Sequence, residues 1–336
     1  MIEIDGSKFE GGGSIVRTTV SLSLATKKAV RIKNIRNNRN PPGLKPQLLE
    51  SLKLALKISN SKATGLFPGS KTIEFFPGSI DKGKSLESDI GTAGSINLLL
   101  QTIFMPCFLS GYKFKFKLKG GTDVPFSPGS DYFKHVFLHR FIEYGDISYK
   151  VLKRGYYPKG QGEIEFSFKK NRKKINLEVK ELSLLSNIFI ISHASNSLES
   201  INICEEQSKL AELYLSDLNK PLEARNEYSN SKSEENGIFI LGHFEGQERV
   251  GIGNLAERKN SVEELVKKST STFKEVVKSN YVDEYLTDMI IPWLALFNGS
   301  ITFNSITEHM KANIYVVNSF FDERIIVNKN KIIAQE

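Results

Sequence analysis

The sequence comprises 336 residues, of which 40% are hydrophobic and 25% are charged. This composition is ordinary for a globular protein of one large or two medium domains, and it excludes a disordered or fibrous chain. The 46 basic residues outnumber the 38 acidic ones, and the net charge of +8 favours a polyanionic partner, above all nucleic acid. Cys107 and Cys204 lack metal-ligand spacing, which argues against a disulfide framework or a zinc site.

The sequence predicts no membrane segment. Residues 1–13 contain acidic side chains and no apolar core of signal-peptide length. No stretch reaches the roughly 18 uninterrupted apolar residues of a membrane-spanning helix. We therefore expect a cytoplasmic protein, without membrane contact, that keeps its cysteines reduced.

Hydrophobic periodicity predicts the same order of elements three times: helix, strand, irregular loop, second helix, strand. After a strand at 1–5, the first copy has a helix at 14–26, a strand at 30–35, an amphipathic helix with Leu48, Leu52, Ala55 and Leu56 on one face, and strands at 63–66 and 72–76. The second has a helix at 95–109, an alternating strand at 113–119, a helix at 131–144, and strands at 148–152 and 163–168. The third has a helix at 282–297, a strand at 300–303, a helix at 309–320 and a strand at 324–327.

About a hundred residues between the second and third copies break this pattern. They predict strands at 188–192 and 237–243 and helices at 205–218 and 262–278, whereas the polar tract 226–236 is typical of a solvated loop. We predict a core formed by 1–180 and 281–336, with 181–280 inserted as a smaller α/β domain. The fold class is α/β (α+β), with three repeated helix–strand–helix–strand units.

Glu10 stands before Gly11-Gly12-Gly13 and the first predicted helix. Consecutive glycines let backbone N–H groups approach an anion, and a helix N-terminus adds positive potential. A glutamate would repel a phosphate unless it held a divalent cation that bridges to it. A glycine-rich turn with a surface glutamate is the alternative.

Basic and amide side chains lie near this loop. Arg17 is one turn into the first helix, Arg36 and Arg39 precede Pro41-Pro42-Gly43, and Gln47 begins the next helix. Guanidinium groups suit bidentate phosphate binding. A solvated basic loop is the alternative for any one of these arginines. The small-residue junctions at 91–95 and 120–123 also permit close backbone approach, for which tight packing is a sufficient reason.

His309 begins the second helix of the third copy, the position that corresponds to the loops of the other two copies. The positive end of a helix favours neutral imidazole, which is the form that attacks phosphorus. On this pattern alone, an exposed histidine at a helix start is the favoured interpretation. His135 and His139 have i,i+4 spacing, but without a third ligand they do not predict a zinc site.

Six segments in order along the chain together resemble the RNA 3'-terminal phosphate cyclase family. They are IDGSKFEGGGSIVRT, IRNNRNPPGLKPQ, DIGTAGS with LLLQT, GGTDVPFSPGSDYF, RGYYPKGQG, and EYLTDMIIPWLAL with TEHMKAN. The resemblance implies the RNA cyclase fold, related in class to the enolpyruvyl transferases. It also implies conversion of an RNA 3'-phosphate to a 2',3'-cyclic phosphate with ATP as a substrate.

The resemblance implies roles for individual residues. His309 would be the nucleophile that accepts AMP, and Glu10 would bind a divalent metal, Mg or Mn. Arg17, Arg36, Arg39 and Gln47 would handle phosphates. The ATP-binding set would be Gln101, Pro128, Tyr132, Tyr285, Asp288 and His309 itself. The partners would be ATP and RNA with a 3'-terminal phosphate, and a homo-oligomer is compatible with the sequence.

The chain departs from the family pattern at Phe9, Ser14, Asn37-Asn38, Leu48 and Gln161. These changes bear on substrate preference and rate more than on the class of reaction. The alternative function is that of a non-catalytic, cyclase-like RNA-binding protein of ribosome biogenesis. Because such proteins are similar to cyclases that have lost their catalytic residues, His309, Glu10 and the arginines favour an enzyme.

Overall fold

The computed structural model describes residues 1–257 and 260–335. The first unit consists of β1 (Ile2–Asp5), α1 (Gly13–Thr26), β2 (Val30–Lys33), α2 (Pro46–Lys57), β3 (Lys62–Thr64) and β4 (Ile73–Phe76). β1 and β2 are parallel, β4 pairs antiparallel with β2 and β3, and the sheet order is β1-β2-β4-β3. Pro46 suits the first turn of α2 because no backbone N–H is needed there, and the helix buries Leu48, Leu52 and Ala55.

The second unit repeats this plan. Its elements are β5 (Ser85–Asp89), α3 (Ile96–Leu109), β6 (Phe114–Gly120), α4 (Ser130–Tyr132), β7 (Gly145–Lys153) and β8 (Gly162–Lys170). The order is β5-β6-β8-β7, with β5 parallel to β6 and the other pairs antiparallel. In β6, Phe114, Phe116 and Leu118 are buried while the lysines between them are exposed, as the alternation predicts.

A segment with a sheet of its own follows β9 (Leu177–Val179). It contains β10 (Leu185–Ser195), α5 (Ile203–Leu215), β11 (Leu222–Ser229), β12 (Asn236–Phe244), β13 (Arg249–Leu255) and α6 (Val262–Ser279). The order is β11-β10-β12-β13, in which only the β10–β11 pair is parallel. A capping box formed by Ser261 and Glu264 begins α6 and satisfies backbone donors of its first turn.

The third unit joins β9 to elements from the end of the chain. They are α7 (Glu284–Leu294), β14 (Gly299–Thr302), α8 (Glu308–Phe320), β15 (Ile325–Asn328) and β16 (Lys331–Ala334). The sheet order is β9-β14-β16-β15, with β9 parallel to β14 and the other pairs antiparallel. Strand order and direction are therefore the same in three sheets, and the predicted α/β fold of three repeated units is confirmed.

The helices of the three units share one core. α1 packs against both α3 and α8, and α7 packs against α8. Between α3 and α7 lies an aromatic cluster in which the rings of Phe141 and Trp293 are 4.1 Å apart and Phe104 contacts both. Since α1 lies against α8, the glycine loop before α1 comes close to the start of α8. No helix among the described residues is long and apolar enough to cross a membrane.

Several predicted elements differ in the structure. The predicted helix 131–144 is the short α4 followed by a π-helical turn, Phe133–Phe137, and a 3₁₀ segment, Leu138–Tyr144. Phe133, Phe137 and Phe141 are all buried along these two segments. The tract predicted as a solvated loop is in part strand, since its first four residues end β11. β5, β9 and β16 were not predicted because they are short or rich in charge.

Candidate active site

A cleft of about 780 Å³ lies where the glycine loop, the loop between β2 and α2, and the start of α8 meet. It brings together six of the predicted site residues: Glu10, Arg17, Arg36, Arg39, Gln47 and His309. The loop 124–127 and Tyr157 border it as well. Residues distant in sequence therefore share one surface, as the repeat predicts.

Glu10 links two cationic side chains at this cleft. Its Oε1 lies 2.8 Å from Nδ1 of His309, and its Oε2 accepts a hydrogen bond of 3.1 Å from Arg39. The contact with His309 is a hydrogen bond when Nδ1 carries the proton. This arrangement fixes the orientation of the imidazole and leaves Nε2 for other partners.

His309 lies in the first turn of α8, which Thr307 caps by accepting a hydrogen bond of 3.1 Å from the N–H of Met310. The hydrogen bond to Glu10 raises the pKa of His309 above its ordinary value, although partial burial opposes this. The sequence predicted that the helix end would favour the neutral form. That prediction is wrong in direction, because the nearby carboxylate outweighs the helix end. In return, the hydrogen bond from His309 lowers the pKa of Glu10.

The glycines before α1 leave room for these charges. A Cβ on Gly12 would clash with Oε1 of Glu10, and one on Gly13 would lie 2.9 Å from Nη1 of Arg17. Small residues are therefore required so that the acid and the guanidinium can approach the backbone. The groups that approach these glycines in the structure are the protein's own side chains, and the predicted approach of an anion to the backbone N–H groups stays a prediction.

Arg17 is buried beneath the cleft and is held by groups from two other helices. Its Nε donates a hydrogen bond of 3.2 Å to Gln101. Burial lowers the pKa of Arg17 to about 10, while Asp288 and Glu10 act in the opposite direction. Asp288 is partly buried, and its desolvation raises its pKa to about 6; its Oδ1 accepts a hydrogen bond of 2.6 Å from Asn313. Gln101 and Asp288 thus lie behind Arg17, at a small cavity of about 30 Å³.

Two polar groups of the cleft lack partners. Nε of Arg36 and the hydroxyl of Ser14 are buried without a hydrogen bond. Buried donors of this kind are costly unless a ligand satisfies them. Gln47 is already engaged, because its Oε1 accepts a hydrogen bond of 2.8 Å from the N–H of Ser95, so its amide nitrogen is the group that can donate to a ligand. The cleft is suited to an oxyanion with several acceptors.

Tyr132 and Tyr285 lie at a neighbouring cavity of about 420 Å³ that shares the loop 124–127 with the cleft. Their rings meet edge to face at 5.8 Å. The hydroxyl of Tyr132 donates to Asp283, the cap of α7, and burial raises the pKa of Asp283 to about 6. Pro128 follows the shared loop, and its carbonyl accepts a hydrogen bond of 2.9 Å from Asn97. Of the predicted ATP-binding residues, His309 lines the cleft itself, Tyr132 and Tyr285 line the neighbouring cavity, and Gln101 and Asp288 line the small cavity.

Glu10 is the one acid among the described residues that line the cleft. It could hold a divalent cation only with ligands supplied by phosphate oxygens or water, which suits Mg²⁺. The described residues contain one cluster with metal-ligand geometry, formed by Asp123, Asp131 and His193. The guanidinium of Arg154 already occupies it, with contacts of 3.1 Å to Asp123 and 2.8 Å to Asp131. That cluster is a buried ion-pair network.

Three of the residues that depart from the family pattern have local structural roles. Phe9 adopts a positive φ of 55° and packs against Tyr315, with ring centroids 6.1 Å apart. Asn38 donates a hydrogen bond of 2.8 Å to the carbonyl of Ser7 and so ties the arginine loop to the glycine loop. Gln161 takes a positive φ of 61° where the family has glycine.

Sequence reasoning missed Lys45, Phe126, Asp283 and Arg154. Lys45 and Phe126 line the cleft, and their segments, LKPQ and VPFSPG, lie inside the resembling pieces. Asp283 precedes a predicted helix, so the preference of aspartate for cap positions was the available signal. No local pattern indicates that Arg154 is buried.

Comparisons with known proteins agree with this geometry. The family model described as RNA 3'-terminal phosphate cyclase matches residues 8–327. The RNA 3'-terminal phosphate cyclase of Pyrococcus abyssi is 38% identical over 323 residues, which cover 95% of this chain and 93% of that protein. The protein of the same name from Archaeoglobus fulgidus is 37% identical over 341 residues and 100% of both chains. The chain belongs to the RNA 3'-terminal phosphate cyclase family.

Proposed function

We propose that this protein is an ATP-dependent enzyme that converts an RNA 3'-terminal phosphate to a 2',3'-cyclic phosphate. The observation that carries the proposal is the imidazole of His309, oriented by Glu10 through a 2.8 Å contact in a cleft that also holds Arg17, Arg36 and Arg39. Membership of the cyclase family supports the same reaction. The site thus combines a fixed nucleophile with donors for several phosphates.

In the first step, Nε2 of His309 forms a bond to the α-phosphorus of ATP as the bond to pyrophosphate breaks. The proton stays on Nδ1, where Glu10 accepts it in a hydrogen bond, so that Nε2 presents a lone pair. Arg17 can move little because it is buried and bonded to Gln101. A guanidinium fixed in this way neutralises developing charge without reorganisation.

In the second step, an oxygen of the RNA 3'-phosphate attacks the phosphorus of the histidine-bound AMP and the P–N bond breaks. In the third step, the vicinal 2'-OH attacks the 3'-phosphorus, the bond to AMP breaks and AMP carries away the hydroxyl proton, which closes the cyclic phosphate. AMP serves as the leaving group that the bare phosphate lacks. Arg36 and Arg39 border the open part of the cleft and suit the RNA phosphate and its adenylate.

We assign the divalent metal, Mg or Mn, to Glu10. A bound cation would neutralise triphosphate charge and polarise a phosphoryl oxygen. Glu10 also contacts Arg39 and His309, so a metal held by its carboxylate would compete with these two contacts.

We assign the adenosine of ATP to the side of the cleft where Pro128, Tyr132 and Tyr285 lie. Tyr285 is half exposed at the adjoining cavity and offers a ring face to a base. The hydroxyl of Tyr132 is engaged with Asp283, so its aromatic ring is the part that contacts the nucleoside. Gln101 acts on the site through its hydrogen bond with Arg17. The carboxylate of Asp288 accepts a hydrogen bond from Asn313, so it would have to turn outward to bind the ribose.

We infer that residues 181–280 form a small α/β domain inserted into a core of 1–180 and 281–336. In the part of the chain that the structure describes, β10–β13 pair only with one another, and α5 and α6 pack on them. We place the enzyme in the cytoplasm, which agrees with two buried cysteines that are free thiols.

The proposed function is tested with an RNA oligonucleotide that carries a 3'-phosphate. Incubation with ATP and Mg²⁺ or Mn²⁺ should yield a phosphatase-resistant 2',3'-cyclic end together with AMP and pyrophosphate. His309→Ala should abolish the product, whereas His243→Ala, on β12, should not. RNA binding without any ATP consumption would overturn the proposal in favour of a non-catalytic RNA-binding protein.

A further inference from the structure

Two aromatic rings on the border of the histidine cleft are left facing solvent. Phe126 is fully exposed, and Tyr157 is 59% exposed. Both line the cleft that contains His309. An exposed aromatic residue on a featureless surface needs no explanation, but two beside a cluster of arginines indicate a ligand with both a charge and a flat face.

The backbone at Phe126 is strained in a way that presents the ring. Its φ is +63°, a conformation that a bulky residue rarely adopts and that glycine would adopt freely. Burying the ring would stabilise the fold, yet the ring is held outward. Strain of this kind accumulates at functional sites.

The loops that carry both rings are fixed from below. Asp123, at the base of the Phe126 loop, pairs with Arg154 and accepts a hydrogen bond of 3.1 Å from the N–H of Ser130. The Tyr157 loop is held by a hydrogen bond of 3.1 Å from the N–H of Lys159 to Ser233. The two loops that carry the rings are therefore ordered before a ligand binds, which lowers the entropic cost of binding.

The basic side chains near the two rings indicate what kind of ligand would bind there. Arg36, Arg39 and Lys45 line the same cleft as the two rings. Cationic groups that follow a phosphate backbone, beside rings that accept any base, are the usual recognition mode for single-stranded nucleic acid. Tyr157 lines the histidine cleft and not the neighbouring cavity to which adenosine is assigned, whereas Phe126 lies on the loop that lines both.

We infer that Phe126 and Tyr157 form a stacking subsite for the base of the 3'-terminal nucleotide of the acceptor RNA, whose phosphate lies against Arg36, Arg39 and Lys45. The inference rests on the proposed cyclase function. Because a ring stacks on any base, the subsite accepts all four terminal nucleotides. It requires that the last base be unpaired.

The test compares Phe126→Gly and Tyr157→Ala with wild type in two separate assays. One assay follows transfer of label from α-labelled ATP to the protein without RNA, and the other follows cyclisation of a 3'-phosphorylated oligonucleotide. Each variant should raise the KM for RNA about tenfold and leave the ATP dependence of labelling unchanged. Phe126→Trp and Tyr157→Phe should retain activity. Phe67→Gly and Tyr112→Ala, which change exposed rings elsewhere, are matched controls and should resemble wild type.

A second substrate makes the test specific. An oligonucleotide whose terminal ribose lacks a base should be cyclised about tenfold less efficiently by wild type, and the two variants should show little further loss with it. Phe126→Gly relieves the positive φ, so its thermal stability should not fall below that of wild type.

An unchanged KM for RNA in both variants would overturn the inference. A raised KM for ATP in the labelling assay would overturn it as well, by assigning the rings to adenine. Failure of wild type to become labelled would instead contradict the proposed function.

Discussion

Gly12 and Gly13 lie beside two charged side chains of the cleft and determine how closely those side chains approach the backbone. Glu10 and Arg17 occupy the space that a methyl group at either position would need. Arg17 is nonetheless anchored at Nε by Gln101, so a new methyl group would displace the end of its guanidinium and not the helix. Small displacements of charged groups at a phosphoryl centre cost rate more than stability.

Gly13→Ala should therefore slow histidine labelling by ATP about 10- to 100-fold while the fold is retained. The added Cβ would lie 2.9 Å from Nη1 of Arg17 and 3.3 Å from the Leu48 side chain, and it would push the guanidinium slightly out of the position in which burial and Gln101 hold it. Rapid-quench measurement of labelling gives the rate, and thermal unfolding serves as the control. Wild-type labelling in the variant would contradict the steric role of Gly13.

Residue types and order predicted much of this site. The glycine run, Arg17, Arg36, Arg39 and His309 could be chosen because the resemblance covers them, and the structure places them in one cleft. The contact between Glu10 and His309 could not be predicted, since 299 positions separate them (309 − 10) and only the packing of α1 against α8 brings them together. The direction of the pKa shift of His309 depends on that contact.

The start of α7 connects two elements of the site. Asp283 caps the helix by accepting a hydrogen bond of 3.1 Å from the N–H of Leu286 and also accepts one from Tyr132. Burial raises the pKa of Asp283 to about 6, so its carboxylate is costly to ionise in place. The cap thus fixes Tyr132 and α7 relative to each other at the expense of stability at neutral pH.

Asp283→Asn should make stability less dependent on pH. The folded carboxyl retains its proton to a higher pH than the unfolded one, so the contribution of Asp283 is greatest in acid and is lost as pH rises from about 4 through about 6. Asparagine can still cap α7 and accept from Tyr132. Relative to wild type, the variant should gain on the order of 2 kcal/mol between pH 4 and pH 7.5, measured by urea unfolding. An equal stability difference at both pH values would contradict this explanation.

Element-level prediction succeeded where periodicity was strong and failed where packing decided the conformation. The helices at α1, α2, α3, α6 and α8 and the alternating β6 lie close to their predicted bounds. The segment after α4 changes pitch although Phe133, Phe137 and Phe141 all pack into the core, and no local propensity specifies this change.

At the scale of the whole molecule, Arg154 connects the second unit to segment 181–280. Its guanidinium binds Asp123 and Asp131 of the second unit, and Glu227 of β11 at 2.6 Å. The three-unit pattern was visible in the sequence, but this connection between the second unit and segment 181–280 was not. The same network supports the loop that borders the cleft.

Arg154→Met should destabilise the protein by about 3–5 kcal/mol, because it leaves two buried carboxylates without a counter-charge. Arg225→Met is the matched control. Arg225 pairs with the same Glu227 at 2.6 Å, but its side chain is 45% exposed, so its loss should cost at most about 1 kcal/mol. Urea unfolding compares the two variants, and equal losses would show that the buried network does not stabilise the molecule.

The central claim is tested most directly by measuring whether a covalent AMP adduct forms on His309. Protein incubated with α-labelled ATP and a divalent metal should acquire one AMP, in a bond that is acid-labile and alkali-stable. Peptide mass spectrometry should place the AMP on His309, and His309→Ala should acquire none. Absence of an adduct in wild type, or equal labelling of His309→Ala, would contradict the account.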